Sequence, residues 1–173
     1  PAGYALVIVA YWTGVPAASQ KLIDGLIKSA PNDPYFYELK GQAYLETGNP
    51  AAAIAPLRKA VALAPNANII KVLLGQALVA TGKPGVANEV INLLTVALQA
   101  EPELSIGYRA LARAYALNND IPMAQLATAQ GLLIDGNLQE AKIQATRAQA
   151  KLKAGSPAWL RADDIVSYKP RKK

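Results

Sequence analysis

The sequence has no cysteine and no histidine. The first absence rules out a disulfide framework and leaves the redox compartment open, an oxidising one being permitted but not implied. Together the two remove thiolate and imidazole zinc sites, Ser-His-Asp and Cys-His nucleophile systems, and the commonest general base. Charge is scarce at 17% of residues, and the net +6 is spread along the chain without a motif that reads DNA or RNA. No stretch approaches the roughly 18–20 uninterrupted apolar residues of a membrane span, so the expectation is a soluble chain. YALVIVAYW at 4–12, the most apolar run, has turn chemistry behind it at Thr13 and Gly14, which suits a buried helix better than an anchor or a signal segment. The chain starts at Pro1 and its one methionine is Met123, so it reads as part of something longer. Its 173 residues are enough for one domain or one short array of repeats.

What is present is a period. Gly14, Gly48 and Gly82 lie 34 residues apart, as do Pro31 and Pro65. Around the glycines, TGVPAA, TGNPAA and TGKPGVA each set a small-residue turn and a proline before a new apolar helix, where proline fits the first turn. Pro102 follows Pro65 by 37, which is read as three extra residues in the helix around EVINLLTVALQAEP. A fourth unit continues with Tyr108, Ala112, Tyr115 and Asn119, asparagine being tolerant of the left-handed conformation at a helix end. LLIDGNLQEAKIQATRAQA repeats the pattern at Gly136, with Ala141, Ala145 and Ala148 on one face. GSPAWLRADDIVSY reads as a last helix with Ser156 as cap and Pro157 at its first position.

No alternating strand pattern occurs, and the expected fold is all-α: about eleven helices of 11–17 residues joined by turns of two to four. An isolated antiparallel pair cannot bury both faces, so neighbouring pairs are expected to stack as a right-handed superhelix, an α-solenoid closed by end-capping helices. The expected organisation is a single array over 1–168, with units of about 1–32, 33–66, 67–103 and 104–136, an atypical capping unit at 137–168, and a basic tail at 169–173.

Within the second unit, rings at Tyr37 and Tyr44 alternate with Gly41 and Gly48 at steps of four, three and four. The rings fill space between helices, and Gly41 admits a partner helix where a side chain would collide. The second helix answers with Ala53, Leu57 and Ala60, small residues flanking one knob. A large residue at Gly41 is expected to overpack the unit by about 1–3 kcal/mol. Pro56, inside AAAIAPLRKA, is expected to kink that helix or shorten its first turn.

Tyr37, Gly41, Tyr44, Ala53, Leu57, Ala60 and Pro65 resemble the signature positions of the tetratricopeptide repeat, and 34 residues is that family's length. The third unit keeps Gly75, Leu78, Ala87, Ile91, Ala97 and Pro102, and the fourth keeps Tyr108, Ala112, Tyr115 and Ala124; the first, with Val7 and Ala10, is degenerate and suits an end cap. A narrower resemblance rests on LIKSAPNDPYFYELKGQAYLETGNPAAAIAPLRKAVALAPN, LLGQALVATGKP, LARAYALNND and GSPAWLRADDIV. These segments are similar to the C-terminal repeat domain of bacterial zinc metalloproteases of the BepA-like kind. That resemblance implies a periplasmic or cell-envelope location, a role in outer-membrane quality control, and a zinc-bearing catalytic domain upstream. No HExxH occurs in this chain, so no catalytic, cofactor or metal residue carries over to it.

In stacked helix pairs the first helices line a concave groove. The positions expected to face it are Tyr4, Ile8, Tyr11 and Trp12; Tyr35, Glu38, Gln42 and Leu45; Ile69, Val72, Gln76 and Val79; and Arg109, Arg113 and Ala116. Arg109 and Arg113, four apart, either hold a carboxylate or acidic segment or form a solvated face or internal ion pair. Tyr4, Tyr11 and Trp12 either dock on the catalytic domain or belong to the array's own core or an exposed cap. Adjacent Asp163 and Asp164 diverge on a helix and suit a solvated edge rather than an acid/base pair. KPRKK at 169–173 suits a solubilising tail more than a nucleic-acid or membrane contact.

The expected function is therefore a non-catalytic protein-interaction module, the C-terminal arm of an envelope metalloprotease that recruits or positions partner or client proteins. Two alternatives stand beside it: a freestanding scaffold or co-chaperone that binds peptides in its groove, and a lipid or small-ligand carrier. The expected partners are proteins or peptides, including the chain's own catalytic domain, with no nucleic acid and no transmembrane segment.

Overall fold

The structure is a computed structural model that describes residues 16–169, with side chains described from residue 20 onward. The helix expected at 4–12, the turn at Gly14 and the tail at 170–173 lie outside the described residues. Nine α-helices of 11–14 residues and one 3-10 turn occur among the described residues, with no strand, fewer and shorter than the eleven of up to 17 expected. None of them is long and apolar enough to cross a membrane.

Chain packing divides into two compact units, one ending at Thr81 and the other beginning at Gly82. The first unit holds α1 (Pro16–Ser29), α2 (Pro34–Glu46), α3 (Pro50–Leu63) and α4 (Asn68–Ala80). Each helix packs on the next, and α2 also touches α4. Asp33 caps α2 by accepting from the Tyr35 N–H at 2.9 Å, and Asn49 caps α3 by accepting from Ala52 at 3.4 Å. Both caps stand directly before a proline, Pro34 or Pro50, which loses nothing by lacking an N–H in the first turn. The α2–α3 turn closes through Gly48 at φ +73°, a region where only residues without a Cβ are unstrained. α3 runs through Pro56 without interruption.

The pairing of α2 with α3 is the one expected. A Cβ at Gly41 would lie 2.6 Å from Leu57 Cδ2 and closer still to Cγ, and Leu57 itself is fully buried. Tyr37 does more than fill space: its hydroxyl donates to the Pro31 carbonyl at 3.0 Å and ties down the loop before its own helix.

The second unit opens with a 3-10 turn at Pro84–Val86, followed by α5 (Ala87–Ala100), α6 (Ser105–Leu117), α7 (Ile121–Ile134), α8 (Leu138–Gln149) and α9 (Pro157–Ser167). The turn corrects the expected insertion. α5 has 14 residues, as α3 has, so the three extra residues precede the helix instead of lengthening it. The repeat register moves with them: Val90, Leu94 and Ala97, not Ala87 and Ile91, match Ala53, Leu57 and Ala60, and all six are fully buried. Counting from the first residue of α8 in the same way reaches Ala141, Ala145 and Ala148, again fully buried.

α7 packs against α6 on one side and α8 on the other, and α9 covers α7 and α8. This double packing leaves Ala124 half-buried, while Leu126, Ala127, Ala129 and Gly131 go inside. Asn119 turns the α6–α7 corner at φ +58° and Gly136 the α7–α8 corner at φ +80°, the asparagine substituting for glycine as anticipated. Ser156 caps α9, accepting from the Trp159 N–H at 3.2 Å, with Pro157 next in line.

Candidate partner-binding surface

In the first unit, α2 and α4 present the residues expected to face a partner. Tyr35 is 58% exposed and Ile69 40%, each the second residue of its helix. Gln42 is exposed and donates to Glu46 Oε1 at 2.9 Å, while Leu45 and Gln76 are half-buried. Val72 and Val79 are corrections: both are buried, so neither is open to a partner. NIIKVLLGQALVA is apolar on nearly every face, and a helix of that kind buries more than one side. Tyr4, Ile8, Tyr11 and Trp12 lie outside the described side chains.

Glu38 stands between the exposed positions of α2. Burial raises its carboxyl above the ordinary carboxylate value, because leaving water penalises the charged form. Among the described residues no cation pairs with it, and Lys40, two residues on, is held by Asp24 at 2.7 Å. The folded-state pKa thus exceeds the unfolded one, so ionisation above it costs the folded state, and that cost vanishes as pH falls below the range of both. Glu38→Gln is expected to melt higher than the parent at pH 7, the gap closing below about pH 4. Thermal melts at the two pH values check this; an equal gap at both would mean that packing, not charge, separates the variants.

In the second unit, Ile106 repeats the pattern of Tyr35 and Ile69. It is the second residue of α6, 38% exposed, and follows Ile69 by the same 37 residues that separate Pro65 from Pro102. That spacing was a signal in the sequence, and following it through the insertion would have found Ile106. Arg109 is held within the chain, its Nη2 donating to Asp135 Oδ2 at 2.9 Å. The Ser105 side chain, and then Arg109, hold Asp135 below the usual carboxylate range. This selects the internal ion pair for Arg109, while Arg113 and Ala116 are exposed.

Sequence reasoning missed a cavity of about 180 Å3 in this unit. Leu98 of α5, Leu111 of α6 and Met123 of α7 line it together with Tyr108, Tyr115 and Arg161. Tyr108 sits there because Gly131 lets α7 approach: a Cβ at Gly131 would be 3.3 Å from Tyr108 Cβ. Burial pushes both phenols up, with Arg161 acting against it at each. Asp120 raises Tyr115 further, and the Thr95 side chain lowers it. Arg161 comes from α9, more than 40 residues from either ring in sequence, and no local pattern signals it. Asp163 accepts from Gln149 at 2.8 Å and Asp164 is exposed, in keeping with a helix edge rather than an acid/base pair. Among the described residues no group of three or more acidic side chains gathers as a metal site would require.

The tetratricopeptide repeat model matches residues 4–68. No curated protein matches the chain. Among solved structures, MamA RS-1 ArsTM double mutant is similar at a TM-score of 0.71 and 16% identity, over 94% of this chain and 92% of that one. MamA MSR-1 C2 is similar at 0.64 and 23% identity, over 76% of this chain and 74% of its own. TTC0263, a thermophilic TPR protein of Thermus thermophilus, is similar at 0.57 and 20% identity, over 95% of this chain and 97% of that one. At these identities the likeness is one of fold. With its glycine-turned helix pairs and the match at 4–68, the chain has the fold of a tetratricopeptide repeat domain.

Proposed function

We propose that this chain is a non-catalytic protein-binding module, engaging an extended segment of a partner across α2 and α4. The observation that carries this is the pair of exposed apolar residues Tyr35 and Ile69 at matching helix positions beside the carboxyl of Glu38, which pairs with no cation among the described residues. A segment with an apolar residue and a nearby lysine or arginine suits that face, since a cation would offset the cost of the half-buried carboxylate. Tyrosine at the centre of such a contact carries about 2 kcal/mol or more of binding. Tyr35→Ser with Ile69→Ser is expected to weaken association with a co-purifying partner without lowering the melting temperature. Unchanged affinity in a titration of that partner would place the contact elsewhere.

The finer reading rests on resemblance: the chain is the C-terminal arm of a periplasmic or envelope zinc metalloprotease and recruits or positions clients for a catalytic domain upstream, which holds the zinc. The segments LIKSAPNDPYFYELKGQAYLETGNP and GSPAWLRADDIV support it. The second reading is a freestanding scaffold that binds peptides in its groove. Intact mass and elemental zinc of the native protein, captured from its source cells by an antibody to this domain, separate the two. A much larger chain with zinc supports the protease arm, and a chain of this size without metal supports the scaffold.

A further inference from the structure

Arg161 is the one cation among the residues that line the second unit's cavity. Lys40 and Arg109 each have a carboxylate within 2.9 Å, whereas no acidic side chain among the described residues pairs with Arg161. Glu103 and Asp120 act on the neighbouring tyrosines without pairing with Arg161. Asp164, one turn along α9, borders an adjoining depression of about 250 Å3 that shares Tyr108 and Arg161 with the cavity, and it makes no ion pair there either.

The cavity itself, at about 180 Å3, is smaller than the roughly 300 Å3 at which pockets for drug-sized molecules begin. An occupant is thus about the size of one amino-acid residue. Leu98, Leu111 and Met123 offer it an apolar wall, the methionine adaptable in shape. Tyr108, Tyr115 and Arg161 line it too, bringing two phenols able to donate and a guanidinium whose fork matches a carboxylate in two-point contact.

We infer that this cavity binds a small apolar carboxylate, its body against Leu98, Leu111 and Met123 and its carboxylate on Arg161 with the Tyr108 and Tyr115 hydroxyls beside it. Two sources share that chemistry: the C-terminal residue of a polypeptide and a free acid. The site is lined by residues of the second unit alone and does not depend on the protein-binding reading of the first unit.

The test uses the whole chain, titrated with N-acetyl-L-leucine and with N-acetyl-L-leucinamide and followed by calorimetry and by amide shifts. The acid is expected to bind saturably in the millimolar range or better, and the amide at least about tenfold more weakly. Arg161→Gln, at an exposed helix position, is expected to lose about tenfold for the acid with its circular dichroism unchanged. Arg147→Gln, at an exposed position on α8, is expected to bind as the parent does. Equal binding of acid and amide, an unaffected Arg161→Gln variant, or no saturable binding by the acid overturns the inference. A peptide ending in a free leucine that binds more tightly than the acetylated residue identifies a polypeptide terminus as the source, and equal affinity identifies a free acid. Partner association through Tyr35 and Ile69, measured on the same Arg161→Gln protein, stays at the parent value if the two surfaces are separate, so either can fail without the other.

Discussion

Leu57→Ala is expected to cost about 2–5 kcal/mol, and adding Gly41→Ala to it is expected to return part of the loss, although Gly41→Ala alone destabilises. The geometry requires this reversal of sign. In the parent, a Cβ at Gly41 runs into the Leu57 side chain, which is fully buried. The single Gly41→Ala change therefore carries overpacking of about 1–3 kcal/mol, only partly offset by the roughly 1 kcal/mol that alanine gains over glycine within a helix. Once Leu57 is cut back to alanine, the same methyl enters a cavity and the helix-propensity gain remains. Urea titrations of the four proteins give the coupling energy directly. Additive losses would mean that the two helices do not meet through this pair.

The second large effect belongs to Leu126→Ala, expected toward the upper part of about 2–5 kcal/mol. Leu126 is 1% exposed in a cluster whose other fully buried members are Ala129, Ala141, Ala145, Ala148 and Ala162. Alanine has no side-chain torsion by which to swing into a void, so these members can close the cavity only by moving backbone. Met123, Leu132, Leu133 and Leu152, packed at the edge of the cluster, are the neighbours with rotamers to spare, and they limit the loss without removing it. Ile143→Ala on α8, at a residue 46% exposed, serves as the comparison and is expected to change stability by only about 0.5 kcal/mol. Similar losses at the two sites in chemical denaturation would contradict the burial on which the argument rests.

The sequence by itself determined the features that are local in origin. Gly48 and Asn119 mark turns because few residues tolerate positive φ, Ser156 with Pro157 marks a helix start because the cap satisfies a free N–H, and Gly41 with Leu57 repeats at the spacing that places a gap opposite a knob. The helix class, the pairing and the alanine face of α8 follow from those short-range rules.

Tertiary structure alone decided the rest, because it depends on groups far apart in the chain or on which face finds a neighbour. A 37-residue interval does not say where its three extra residues go; packing placed them in the Pro84–Val86 turn and so fixed Val90 and Leu94 as the core positions. Val72 and Val79 sit on a helix apolar nearly all round, where periodicity cannot separate core from surface. Arg109 meets Asp135 across 26 residues, and Arg161 reaches Tyr108 and Tyr115 from a different helix. Side-chain charge can be read from sequence, but whether that charge is spent on an internal partner or left for a ligand is settled only when distant helices are brought together.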